Sequence, residues 1–155
     1  MSNKFVLLCY LSMGLDITSV SILTAVFIAY DELIEYRKHL LAVQQNGYAL
    51  QYVPIELRTP EICLAAVQQN GCALYYVPRE LRTLEICLVA IHQNGYTIEY
   101  VPNDLKTPEL CLAAVQRDGC GLDCMPNELR TPKIYLAAVQ RDGHALEYVP
   151  NELRT

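Results

Sequence analysis

The sequence predicts an all-α solenoid of five tandem 24-residue units, each a helix, a shorter helix and a turn, and three observations carry that prediction. First, the period is strict. Gly47, Gly71, Gly95, Gly119 and Gly143 are 24 residues apart, and Pro54, Pro78, Pro102, Pro126 and Pro150 keep the same step, as do Leu57, Leu81, Leu105, Leu129 and Leu153. Second, no insertion shifts the phase from about residue 36 onward, and Thr59, Thr83, Thr107, Thr131 and Thr155 close successive units. Third, one unit exposes too little apolar surface to offset the entropy of ordering its own backbone and side chains. Stacked neighbours supply the missing burial, so stability becomes a sum over adjacent contacts.

The chain begins with residues 1–35, an apolar segment. "FVLLCYLSMGLDITSVSILTAVFIAY" carries one charge, Asp16, between two apolar stretches, and Lys4 precedes it. Three readings stay open. Ala25, Glu32 and Leu33 are in phase with Ala49, Glu56 and Leu57, which makes residues 24–35 a degraded repeat capping the core. Membrane insertion through residues 5–30 is the second, although neither stretch alone reaches spanning length and a central aspartate costs about 3 kcal/mol. A cleaved signal, with Lys4 ahead of the apolar run and small residues at Ser12 and Gly14, is the third.

Residues 36–155 form the repeat domain. In "TPEICLAAVQQNG", Thr59 is placed to cap, Pro60 suits the first helical position, and Glu61 sits where the helix dipole favours an anion. A helix of about ten residues therefore starts at Pro60 and ends before Gly71, where a left-handed residue is expected. Ile62 to Val67 are apolar without a gap, so neighbours must cover most of that helix. In "NGYALQYVP", Ala49 with Val53 and Tyr48 with Tyr52 are four apart, which reads as one or two further helical turns stopped by Pro54. "PIELR" reads as a tight turn or a 3₁₀ turn with Leu57 inward and Glu56 and Arg58 in water.

The pattern of "LAAVQQNGYALQYVPIELRTPE" resembles the repeat family called domain of unknown function 4116, over residues from about 36 to 155. The resemblance implies a helical repeat of the kind found in effector-like proteins of intracellular bacteria, and it supplies no catalytic residues. Pro54 and its equivalents stand where the family more often has a small or polar residue. Leu84 breaks the Thr-Pro start of one helix.

Charge excludes one class of partner and suggests two surfaces. A formal net charge of -5 argues against nucleic acid, which selects for an excess of Lys and Arg. Arg58, Arg82, Lys106, Arg130 and Arg154 form a basic ladder, with Glu56, Glu80, Asp104, Glu128 and Glu152 two residues away, and the expected arrangement is a solvated ion-pair edge, with a charged recognition strip as the alternative. The second surface changes along the chain. Gln45, Gln69 and Gln93, each followed by Asn, give way to Arg117-Asp118 and Arg141-Asp142, and Gln51 and Tyr75 give way to Glu99, Asp123 and Glu147. Variation at chosen phases over a fixed core is how a repeat scaffold carries a partner-binding face, and it is also what neutral drift on a surface produces.

Chemistry finds little footing. Six of the seven cysteines fall at repeat phases, without the short C-x₂-C spacing of a zinc site, so they read as buried apolar residues in a reducing compartment, with no metal and no cofactor. Cys120 and Cys124, with Cys111 nearby, form the one grouping where a metal alternative has any geometry. His92 replaces a glutamine and reads as exposed, whereas His39 and His144 read as packed. Serines occur only before the repeats, and no phosphate-binding glycine loop is present. The sequence therefore points to a non-catalytic protein–protein interaction scaffold in the cytoplasm, or the host cytoplasm if it is an effector. The alternative is a membrane-anchored or secreted effector-like protein targeted by its N-terminal segment.

Overall fold

A computed structural model of the chain describes residues 17–119 and 121–154. Expectations about Lys4, Ser12, Gly14, Asp16, Cys120 and Thr155, and about the first part of the 5–30 segment, lie outside the described residues. The chain divides into two compact units, Met1–Lys38 and His39–Thr155.

The described part of the first unit belongs to one long helix, α1, Ile17–Gln45, which continues into the second. Residues 24–35 therefore do not adopt the repeat conformation that their phase suggested. The reason is local. Leu23 and Tyr30 stand where the repeats place their glycine and proline, so nothing ends the helix. Ile22, Val26 and Tyr30, four apart, are each more than 60% exposed. No described helix is long and apolar enough to cross a membrane.

The second unit is all-helical among the described residues and repeats with the period of the sequence. Its helices after α1 are α2, Pro60–Gln69; α3, Leu84–Gln93; α4, Pro108–Asp118; and α5, Pro132–Arg141. Each starts as the threonine predicts: the hydroxyls of Thr59, Thr83, Thr107 and Thr131 accept from the amides of Ile62, Ile86, Leu110 and Ile134 at 3.3–3.4 Å. Leu84 does not disturb the start of α3, because the cap, and not the proline, supplies the missing acceptor.

After each helix an asparagine or aspartate turns the chain. Asn46, Asn70, Asn94 and Asp142 are extended, and each side chain accepts from the amide two residues on at 3.0 Å. The segments that follow are 3₁₀ helices, Gly47–Tyr52, Gly71–Tyr76, Gly95–Tyr100 and Gly143–Tyr148. This corrects the spacing inferred from the sequence. With three residues per turn, Leu50 and Val53 share the buried face, while Tyr48 and Tyr52 stand in solvent. A second, three-residue 3₁₀ turn, such as Ile55–Leu57, completes the unit as expected.

The stacking explains the core. Each of α2, α3 and α4 packs against the 3₁₀ helix of the preceding unit, successive helices from α2 to α5 pack on one another, and the first three 3₁₀ helices form a second row. Val43, Leu50, Ile62, Val67, Leu74 and Ile98 are fully buried between these rows. The glycines serve this approach. Gly47, Gly71 and Gly95 do not have positive φ, contrary to the left-handed cap expected from Asn-Gly. A Cβ on Gly71 would instead lie 2.6 Å from the carbonyl oxygen of Ala90 in the next unit. Gly119 is the exception. It caps α4 with φ 72°, Gly121 follows at φ 87°, and no 3₁₀ helix is assigned between them and Pro126.

Candidate functional site

The basic ladder is not an ion-pair edge. Arg58 and Arg82 are half-buried, and their guanidinium groups donate to backbone carbonyls at the C-terminal ends of two successive 3₁₀ helices. Arg58 reaches Val53 O at 2.9 Å in its own unit and Tyr76 O at 2.8 Å in the next. Arg82 reaches Val77 O at 2.9 Å and Tyr100 O at 2.6 Å. Lys106 makes the corresponding bond to Cys124 O at 2.7 Å, while Arg130 and Arg154 hold carbonyls of their own units, Met125 O and Val149 O. A cation at carbonyls left over by a helix end is favoured by both charge and hydrogen bonding. Glu56, Glu80, Asp104, Glu128 and Glu152 remain exposed, and among the described residues none pairs with the ladder. Asp104 instead lies 3.8 Å from Arg79, both well exposed.

The edge that changes along the chain also reaches across units. Gln69 Nε2 donates to Gln45 O at 3.3 Å, and Gln93 accepts from Gly71 N at 2.8 Å while donating to Gln68 O. Asp118 takes over the acceptor role in the next unit, its carboxylate bonded to Gly95 N. Arg117 donates to His92 O at 2.9 Å and to Gln93 O at 3.1 Å. Asp142 caps its own 3₁₀ helix and lies 2.9 Å from His144 Nδ1, and bonds from the His144 amide and ring hold its carboxyl below the usual range. Gln45 and Arg141 are exposed. At Arg117-Asp118 the replacement of Gln-Asn thus keeps the inter-unit bonds while adding charge to that edge, whereas Asp142 bonds within its own unit.

His144 corrects another expectation: its side chain is almost wholly exposed, not packed. His92 is exposed as expected, and His39 is half-buried. Cys63, Cys87 and Cys111 are fully buried, and burial pushes the first two thiols up to about 11, so near neutral pH they are protonated packing groups. Cys72 and Cys124 are half-buried and free. Among the described residues no group of His, Cys, Asp and Glu is placed to hold a metal ion.

A different surface emerges on the outer face of the 3₁₀ row. Three-residue turns bring the second and fifth positions of these segments to one side, and the sixth position, at the segment's end, is also at least partly exposed; these are the positions that carry tyrosine. Tyr48 and Tyr76 meet edge to face with ring centroids 6.4 Å apart, Tyr75 and Tyr76 at 5.0 Å, and Tyr75 and Tyr100 at 5.2 Å. The rings thus form a connected cluster over three units. They border a hollow of about 320 Å³ whose walls include Tyr48, Tyr75, Tyr96 and Tyr100. A second hollow of about 300 Å³ shares Tyr96 and Glu99 with the first and continues past Asp123 to Glu147 and Tyr148. Burial and the neighbouring Glu99 carboxylate raise the Tyr100 phenol, and Glu147 raises that of Tyr148. The acidic positions 99, 123 and 147, part of the surface that changes along the sequence, lie here. The sequence conceals the tyrosines because Tyr48 and Tyr52 read as an i, i+4 pair on one face of an α-helix, and that spacing does not say which way the face points.

The model of one repeat family, described as domain of unknown function (DUF4116), matches residues 39–82, 59–106, 83–130 and 107–154. No curated protein and no solved structure matches the chain.

Proposed function

This chain belongs to the DUF4116 family, and from that premise we propose that it is a non-catalytic protein–protein interaction scaffold acting in the cytoplasm. The observation that carries this reading is the exposure of its tyrosines. Tyr75 is 58% exposed and Tyr96 62%, on a row held in place by the stack beneath it. Tyrosine offers a large contact area with few torsions to freeze and a hydroxyl for the wet rim, which is why it dominates many protein interfaces. A repeat stack displays such side chains at fixed intervals. The edge formed by Gln45, Gln69, Gln93, Arg117, Asp118, Arg141 and Asp142 is the second face on which a partner could be held.

Capture of partners from a lysate by the intact chain, followed by cross-linking, tests the reading. The Tyr75→Ser/Tyr96→Ser chain is expected to lose most of the captured protein, and the Arg117→Glu/Arg141→Glu chain reports on the edge. No protein retained above an unrelated repeat control would overturn the scaffold. A second reading has one observation in its favour, the exposed Ile22, Val26 and Tyr30 on α1. In that reading the N-terminal segment brings an effector-like chain to a membrane, and the intact tagged chain would pellet with membranes.

A further inference from the structure

The tyrosine-lined hollows have a chemistry of their own. They join through Tyr96 and Glu99 into one groove along the 3₁₀ row, and neither is lined by Lys or Arg among the described residues. Its aromatic part lies over the earlier units and its acidic part over the later ones, where Asp123, Asp142 and Glu147 face the second hollow. Arg58 and Arg82 spend their donors on backbone carbonyls, and Arg82 borders Glu99 and Tyr100 only from the adjoining hollow that it shares with Arg79. Ring faces and carboxylates side by side favour a planar cation, which stacks on the one and bonds bidentately to the other.

Resting on the scaffold reading, we propose that this groove binds an extended protein segment carrying arginine at about every third residue. The spacing comes from the stack. Packed helices lie about 8–10 Å apart, so equivalent side chains of successive units recur at about that interval. A polyproline chain advances about 3.1 Å per residue and completes a turn every three, so about three of its residues match one unit and every third side chain faces the same way. A segment with that period presents one arginine to each unit, the first over tyrosine rings and the later ones over carboxylates. Net charge adds steering, since a chain of formal charge -5 attracts a cationic segment from a distance.

The test uses the full chain and three synthetic twelve-residue peptides in fluorescence anisotropy. One has arginine at every third position with proline and serine between, one has the same residues with the arginines clustered, and one has glutamate in place of arginine. Binding of the first is expected to exceed that of the clustered peptide, to weaken with salt, and to fall about tenfold for the Tyr96→Ser/Glu99→Gln chain. Both of those residues are exposed, so the variant's unfolding midpoint should match the parent's. Equal binding of spaced and clustered peptides, equal binding of the glutamate peptide, or no binding of any of them would overturn the proposal. Partner capture that persists in the lysate experiment while the peptides fail leaves the scaffold reading standing and sinks only this one.

Discussion

Gly71→Ala is expected to lower the unfolding free energy by about 2–3 kcal/mol, which for a domain of this size lowers the thermal midpoint by roughly 10 °C. The cause is not backbone conformation, since Gly71 has no positive φ that an alanine would resist. The new methyl would lie 2.6 Å from Ala90 O and 3.1 Å from Gln93 Cβ. The first is main chain of α3, so relief requires the two units to separate. Separation would also stretch the bond from Gly71 N to Gln93 Oε1, now 2.8 Å. Gly143→Ala supplies the internal control. Gly143 has the same place in its unit, and a methyl there would meet no atom within 4 Å. That substitution is expected to change stability by less than about 0.5 kcal/mol, or to stabilise slightly by restricting the unfolded chain. Equal losses from the two, measured by urea unfolding, would show that the glycines serve local conformation instead of unit-to-unit approach.

That pair of variants also shows what the sequence could and could not convey. The period of 24 residues, the threonine at the start of α2 to α5 and the asparagine after α1, α2 and α3 are local signals, and each produces the local structure it specifies. The purpose of the glycine is not local. Asn-Gly suggests a left-handed cap, and only the neighbouring helix 19 residues on shows that a side chain is excluded for lack of room. The same holds for Arg58, whose distant acceptor, Tyr76 O, is a backbone atom that carries no residue-type signature. An acidic residue two positions away was the visible candidate and the wrong one.

The tyrosine row was hidden by a change of helix type. Tyr48 and Tyr52 fit an α-helical pair, and the apolar Leu50 and Val53 fit a 3₁₀ face equally well in six residues. Which wins depends on the capping asparagine and on the helix packed from the next unit, which together favour tighter winding. Once the winding is known, counting in threes puts Gly47, Leu50 and Val53 on the buried face and turns Tyr48 and Gln51 outward. For the N-terminal segment the decisive signal was present but negative: the missing glycine and proline at positions 23 and 30 let α1 run through residues that otherwise keep the repeat's phase.

Arg82→Met is expected to cost about 3 kcal/mol, whereas Glu80→Gln should leave stability within about 0.5 kcal/mol of the parent. Methionine preserves much of the stem's packing, so the loss isolates the guanidinium. That group donates to Val77 O, Tyr75 O at 3.2 Å and Tyr100 O, three carbonyls at the ends of two 3₁₀ helices. Without it, half-buried acceptors lose a charged donor, and the staple between successive units is gone. Glu80 is exposed and takes no part. The contrast with an ion-pair edge is quantitative. A solvated pair would be worth at most about 1 kcal/mol, would weaken as salt rises, and would make the two substitutions non-additive. A staple onto neutral carbonyls predicts a larger loss, nearly constant between about 0.05 and about 0.5 M salt, and additive behaviour in the double variant. The measurement is the urea midpoint of the four chains at both salts, and a loss from Arg82→Met that vanishes at high salt would return the ladder to the surface.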